Sequence, residues 1–260
     1  PYIHEGDILA MSVAPTPASG TEEGWREYFQ AALAFAGQND INTLVFEAKQ
    51  GMGVYWRDSI FPPAPEVAEQ DGFFDKLDPL AILMEEAAGT GIQVWISADL
   101  YSAAGYTDSM KGKAAQQAKN LGGATYFPVD DADYRQQLAN SLGYLPHKYG
   151  VAGLILNGLE ENPANPSTQQ PAWAEEFNKT VDAIHTLWKD NVYPTQLGLA
   201  FNGDEGFLLG PEQTAELVAQ GKVQYLLPRH AAGENLWERI SLWGIDGAQV
   251  VQQAGAEDAG

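Results

Sequence analysis

Five stretches of this 260-residue chain place an ionisable or amide side chain directly behind a short apolar run, where a strand hands over to a loop. They are Lys49 after "LVFEA", Asp99 in "VWISADL", Asn157 with Glu160 and Glu161 in "GLILNGLEEN", Asn202 with Asp204 and Glu205 in "LGLAFNGDEG", and Arg229 with His230 after "YLLP". Carboxyl groups at the ends of different strands suit acid–base work. A protonated one hands its proton to a leaving oxygen while an ionised one attacks or activates water; cleavage of a glycosidic bond needs the two about 5 to 9.5 Å apart. Asp99 with either Glu160 or Glu161 is the pair this chain offers as catalytic acid and partner.

Each of these residues also has a plainer use. The chain carries 35 Asp and Glu, and a Glu160-Glu161 pair followed by Asn162-Pro163 suits a solvated loop. Asp204 in "NGDEG" sits among turn formers, and His230 suits a hydrogen-bonded structural histidine. Asp99 stands out because it ends an apolar strand, where a charge is costly unless it is paired or used. Two-residue alternation puts Glu47 and Lys49 on one face of their strand, so an ion pair between them is expected there. Tyr55, Trp56, Tyr101 and Tyr106 fall in loops after the second and third strands, where aromatic faces can stack on sugar rings; packing within those loops is the competing use.

The elements that must position these residues alternate. Strands are predicted at 7–15, 42–49, 92–100, 151–157, 196–202, 223–229 and 248–251, with helical spacing between them. "TEEGWREYFQAALAFAG" has a Thr21 cap, early acids, apolar Trp25, Phe29, Leu33 and Phe35 near one face, and Gly37 as its stop. A second helix is predicted over 77–91, and a third over 130–150 capped by Asp130 or Asp131. A helix over 171–191 opens on Pro171 and spaces Trp173, Phe177, Val181, Ile184 and Trp188 by three or four residues. Serial β-α alternation means a parallel sheet, either a closed barrel or a doubly wound open one. The open form normally brings a glycine-rich phosphate loop after an early strand, and "SVAPTPASG" is not one. The expected fold is therefore α/β, a TIM-type (β/α)8-like barrel with seven strands legible and no eighth, residues 1–260 forming a single domain. Lys49, Asn157, Asn202 and Arg229 then join Tyr55, Trp56 and Tyr101 as expected substrate contacts at the C-terminal mouth, where barrels of this class collect function.

Composition narrows the partners. Fourteen Lys and Arg against 35 Asp and Glu leave a formal net charge of −21. Such a surface repels phosphate backbones and anionic headgroups, while a neutral ligand such as a sugar pays no such penalty. There is no cysteine, which excludes disulfides, thiolate metal sites and a Cys nucleophile. Four histidines without an HExxH motif give no metal site, and no cofactor is expected. No apolar run reaches the ~18 residues of a membrane span, so no membrane insertion is expected. A chain that opens on Pro1 suits a processed form or an excised domain.

Three segments together resemble the glycoside-hydrolase-like barrel domains of secreted bacterial proteins: "INTLVFEAKQGMGVYWRDSIFPP" (41–63), "FFDKLDPLAILMEEAAGTGIQVWISADLY" (73–101) and "YFPVDDADYRQQLANSLGYLPHKYGVAGLIL" (126–156). The resemblance covers about half the chain. It implies a carbohydrate-active barrel, a secreted or cell-envelope location and a carboxylate pair at the mouth. One departure matters: such domains carry an Asp at the end of the fourth strand, where this chain has Asn157, which cannot serve as acid or nucleophile. The alternative is therefore a non-catalytic glycan-binding or structural module on a degenerate hydrolase barrel.

With no basic stripe to release counterions, no salt-dependent binding to DNA or RNA is expected. Fluorescence anisotropy with labelled oligonucleotides checks this; tight binding that collapses as salt is added would refute it.

Overall fold

Short apolar runs pair edge to edge in the order in which the chain makes them. The computed structural model describes residues 7–67, 77–105, 113–121, 123–162, 170–189, 195–202, 209–229 and 236–253. In chain order the elements are β1 (Leu9–Val13), α1 (Glu22–Gln38), β2 (Thr43–Gln50), β3 (Gly53–Val54), α2 (Pro79–Ala87), β4 (Gln93–Asp99), a 3-10 turn (Ala114–Gln117), β5 (Lys119–Leu121) and β6 (Ala124–Tyr126). There follow α3 (Ala132–Gly143), α4 (Leu145–Tyr149), β7 (Gly153–Asn157), α5 (Gln170–Trp188), β8 (Gln196–Phe201), α6 (Pro211–Ala219), β9 (Tyr225–Pro228), α7 (Leu236–Ser241), β10 (Gln249–Val250) and β11 (Gln252–Gln253).

The parallel order is β1-β2-β4-β7-β8-β9, each predicted strand beside its predicted neighbour. The last run closes the ring: β10 pairs in parallel with β9, and β11, one residue further on, pairs in parallel with β1. Among the described residues the barrel has seven staves, counting β10 and β11 as one, and no gap is left for an eighth. The fold is α/β and TIM-like, as expected.

Alternation along each stave sorts side chains into two cores. Ile8, Ala10, Val45, Trp95, Ile155, Ala200, Leu227 and Val251 meet inside the ring, with Tyr225 against them. Leu44, Phe46, Ile96, Leu154, Leu156, Leu199 and Leu226 point outward to the helices. Trp95 and Tyr225 are large for a narrow ring, and their centroids lie 4.8 Å apart. Room for them comes from the neighbouring staves: a Cβ on Gly153 would sit 2.4 Å from Trp95 Cδ2, and one on Gly198 would sit 2.7 Å from Ile155 Cδ1.

The helices form where caps and apolar faces coincide. Gly24 N donates to the Thr21 hydroxyl (3.1 Å), and Trp25, Phe29, Leu33 and Ala36 of α1 are buried. Asp78 caps α2 and Asp131, rather than Asp130, caps α3. Trp173, Phe177, Val181, Ile184 and Trp188 of α5 are buried as the spacing predicts.

Two helix boundaries differ from expectation. α1 runs past Gly37 to Gln38 and stops where Asp40 turns left-handed (φ 55°), a conformation that Asp tolerates. The helix predicted over 130–150 breaks at Tyr144, because Pro146 has no N–H to offer the carbonyl four residues back. Sequence periodicity also missed β3, antiparallel to β2, and the exposed β5-β6 hairpin, both too short to show a period.

Gly153→Ala forces a methyl into the Trp95 ring. It is expected to cost about 1–3 kcal/mol by urea unfolding; an unchanged midpoint would mean that the ring has room to move.

Candidate active site at the barrel mouth

The inward parity of Val45, Trp95, Ile155, Ala200 and Leu227 continues by twos to Glu47, Asp99, Asn157, Asn202 and Arg229, one from each of five staves at their C-terminal ends. Asp99 and Asn157 are direct partners in the β4-β7 register. Asp99 Oδ1 accepts from the N–H groups of Tyr101 (3.2 Å) and Ser102 (3.0 Å), which turns the chain out of the strand. Its Oδ2 accepts no hydrogen bond from the described residues. Asn157 is 9% exposed, and its Oδ1 accepts from Gly158 N (2.8 Å) and Asn202 Nδ2 (3.3 Å). Gly158 is a glycine for two reasons: its φ is +80°, and a Cβ there would lie 2.5 Å from Asp99 Oδ1.

That tight turn after β7 brings Glu160 back over the mouth, where Asn202 Nδ2 also donates to its Oε1. Burial raises the Glu160 carboxyl above the usual range, and the nearby Asp99 charge raises it further, against the lowering hydrogen bond from Asn202. Asp99, Asn157, Glu160 and Asn202 thus form one cluster. Glu161, next in the chain, is exposed.

A second group spans the ring. Arg229 on β9 forms an ion pair with Glu47 on β2, and Gln50 Nε2 donates to the same carboxylate. The predicted Glu47–Lys49 pair is not formed. A register shift between these two residues pairs Glu47 with inward Ser97 but Lys49 with outward Ala98, so the lysine leaves the barrel interior. Burial lowers the Arg229 guanidinium, and the Glu47 carboxylate is what supports its charge there.

Lys49 is 1% exposed. Its Nζ donates to the carbonyls of Gly51 and Asp99, both at 2.6 Å, and lies 5.1 Å from the Phe61 ring centroid and 5.6 Å from that of Phe127. It is therefore a clamp on the backbone that carries Asp99, and it reaches no ligand space.

The aromatic residues also need correction. Tyr55 packs on Trp25 and Phe46 with its hydroxyl on Glu66 (2.9 Å), Trp56 Nε1 donates to Asp58 (3.0 Å), and Tyr101 meets Trp173 edge-on. All three are buried in the outer core and present no stacking face at the mouth. Each follows a strand that turns back onto a helix layer, and loop position in the sequence carries no sign of that. Tyr106, Asp204, Glu205 and His230 lie outside the described residues. Sequence reasoning missed the Arg229–Glu47 pair, although inward parity at two strand ends was the signal that could have found it. Among the described residues no cluster of His, Asp and Glu could hold a metal ion.

No family model matches the chain, and no curated protein matches it. Solved structures do. A Paenibacillus sp. cycloisomaltooligosaccharide glucanotransferase complexed with cycloisomaltoheptaose is 13% identical, with a TM-score of 0.56 over 95% of this chain and 38% of that one. A glycoside hydrolase family 20 β-N-acetylglucosaminidase is 14% identical, with a TM-score of 0.57 over 94% of this chain and 52% of that one. An inactive double mutant of MUTB is 9% identical, with a TM-score of 0.58 over 94% of this chain and 56% of that one. The chain spans roughly half the length of these structures, and at such identities the likeness speaks for the barrel fold alone.

Burial brings Lys49 down from its ordinary 10.5 to about 8, the Asp99 charge opposing the fall. Between those values the unfolded chain holds the extra proton, so stability rises with pH across that window, by roughly 3 kcal/mol. Lys49→Met is expected to abolish that rise in denaturation experiments on either side of the window. Parallel pH profiles for the two proteins would refute it.

Proposed function

We propose that this barrel is a glycoside hydrolase acting on a poly- or oligosaccharide, with Glu160 as proton donor and Asp99 as its ionised partner. The observation that carries the reading is Glu160 itself: a carboxyl drawn back over the mouth, raised by burial and by the neighbouring Asp99 charge, and oriented by Asn202. A carboxyl raised by its surroundings is suited to the acid's part in such a pair.

In this mechanism the Glu160 O–H protonates the glycosidic oxygen as the bond from that oxygen to the anomeric carbon breaks. Asp99 Oδ2, turned away from the two amides that hold Oδ1, attacks the anomeric carbon or takes the proton of an attacking water. Asn157 and Asn202 offer amide groups to sugar hydroxyls, and the Arg229–Glu47 pair offers charged ones. Solved enzymes on this fold that act on or bind sugars support the substrate class by analogy of fold. A chain of net charge −21 accommodates a neutral glycan, and a secreted or cell-envelope setting, implied by the sequence resemblance, belongs to the same proposal.

A specific observation favours a second reading. Asn157 stands in register with Asp99 and spends its oxygen on Gly158 and Asn202, which suits a glycan-binding barrel without turnover.

The two readings separate by mutation. Asp99→Asn preserves the acceptor for Tyr101 and Ser102, and Glu160→Gln preserves the acceptor for Asn202, so neither is expected to move the thermal midpoint. If the barrel hydrolyses glycans, each variant lowers turnover of a responsive substrate by about a hundredfold or more. The raised Glu160 also sets the alkaline limb of the rate profile, because the donor is active only while protonated; Glu160→Gln removes that limb. A glycan that binds but is not turned over, with both variants and Asn157→Asp without effect, would leave only the binding reading.

A further inference from the structure

Beyond β4 the chain makes a second, antiparallel contact beside the mouth, with the β5-β6 hairpin. Asp99 Oδ1 holds the N–H groups of Tyr101 and Ser102, and the segment so turned out of the barrel pairs with the end of β6. Phe127 N donates to the Tyr101 carbonyl (2.8 Å) and Ala103 N to the Thr125 carbonyl (3.0 Å). These two bonds flank Ser102 and Tyr126, which are therefore a non-hydrogen-bonded pair, the kind whose backbones approach most closely and whose side chains stand next to one another on one face.

The ribbon has two unlike faces. Tyr101, Ala103 and Phe127 are buried in the outer core. Alternation puts Ser102 and Tyr126 on the opposite face, together with Lys119, the partner of Tyr126 on β5, and with Leu121 and Ala124. Lys119, Leu121 and Ala124 are exposed, while Ser102 and Tyr126 are half-buried. The outer core lies between the ring and its helices, so the face turned from it looks away from the helices, on the side of the mouth. Ser102 N is 3.0 Å from Asp99 Oδ1, and Cα atoms paired in this way are about 4.5 Å apart, so the Tyr126 backbone lies within about 9 Å of that carboxylate, the reach of a disaccharide.

We infer that Tyr126 is the aromatic platform of the mouth, a stacking site for the sugar unit next to the one held between Asp99 and Glu160. The chemistry is that of an apolar C–H face laid on a flat π face, with a hydroxyl at the edge: Ser102 Oγ accepts from Ala104 N and keeps its own O–H to donate. Asp99 then has two tasks. One oxygen faces the reacting unit, and the other anchors the residue against which Tyr126 is paired. The inference rests on the carbohydrate reading of the mouth and is common to both of its forms, turnover and binding alone. It makes the ligand an oligosaccharide of at least two units, because one ring cannot fill both places.

Isothermal titration of the full chain, with Glu160→Gln in place to prevent turnover, tests it with cellotetraose, maltotetraose, isomaltotetraose and chitotetraose. At least one is expected to bind, and Tyr126→Ala to weaken that binding about tenfold. Tyr126→Phe keeps the π face and is expected to stay within about twofold of the parent, whereas Tyr126→Leu keeps the apolar bulk without the flat face and is expected to lose as much as alanine. Thermal midpoints of the Phe and Leu variants are expected to match the parent, which separates loss of stacking from loss of fold. Affinity that ignores Tyr126→Ala, a Phe variant as weak as the Ala variant, a Leu variant as tight as the parent, or no tetrasaccharide bound would overturn the platform. Turnover that depends on Asp99 and Glu160 while affinity ignores Tyr126 would leave the hydrolase proposal standing alone; Tyr126-dependent binding without turnover of any glycan would do the reverse.

Discussion

Closure of the ring by five residues is the constraint on which the rest depends. Gln249 N and Val251 N donate to the carbonyls of Gln224 (2.9 Å) and Leu226 (2.8 Å) on one side, and β11 takes up the β1 register on the other. Val251, between the two pairings, points into the barrel. With the ring closed, inward side chains have nowhere to go but into one another, which is why a tryptophan on β4 requires a glycine on β7. The same closure brings strand ends that are far apart in sequence to a common mouth.

What collects there is polar, and each charge is handled differently. Arg229 and Glu47 answer one another across the opening, and removing either would strand a half-buried charge. Asp99 has two backbone amides on one oxygen and the buried Lys49 ammonium behind its strand. Glu160 accepts from the Asn202 amide and from nearby backbone, but burial and a like charge outweigh these bonds and push its carboxyl toward the protonated form. That asymmetry is a chemical resource, and it arises from the left-handed turn at Gly158.

Staves, helix faces and caps were legible in the sequence because they are local: alternation, three-to-four spacing and a Thr or Asp before an apolar run act within one turn or one strand. The carboxylates at strand ends were legible for the same reason. Only the tertiary structure decided which faced one another. One extra residue in β2 reversed the parity of Lys49 and gave Glu47 to Arg229, 182 residues away along the chain. Packing against α1 and α5 took Tyr55 and Tyr101 out of reach of any ligand. Bulges and loop packing are settled by contacts between distant segments, and no periodicity within a segment records them.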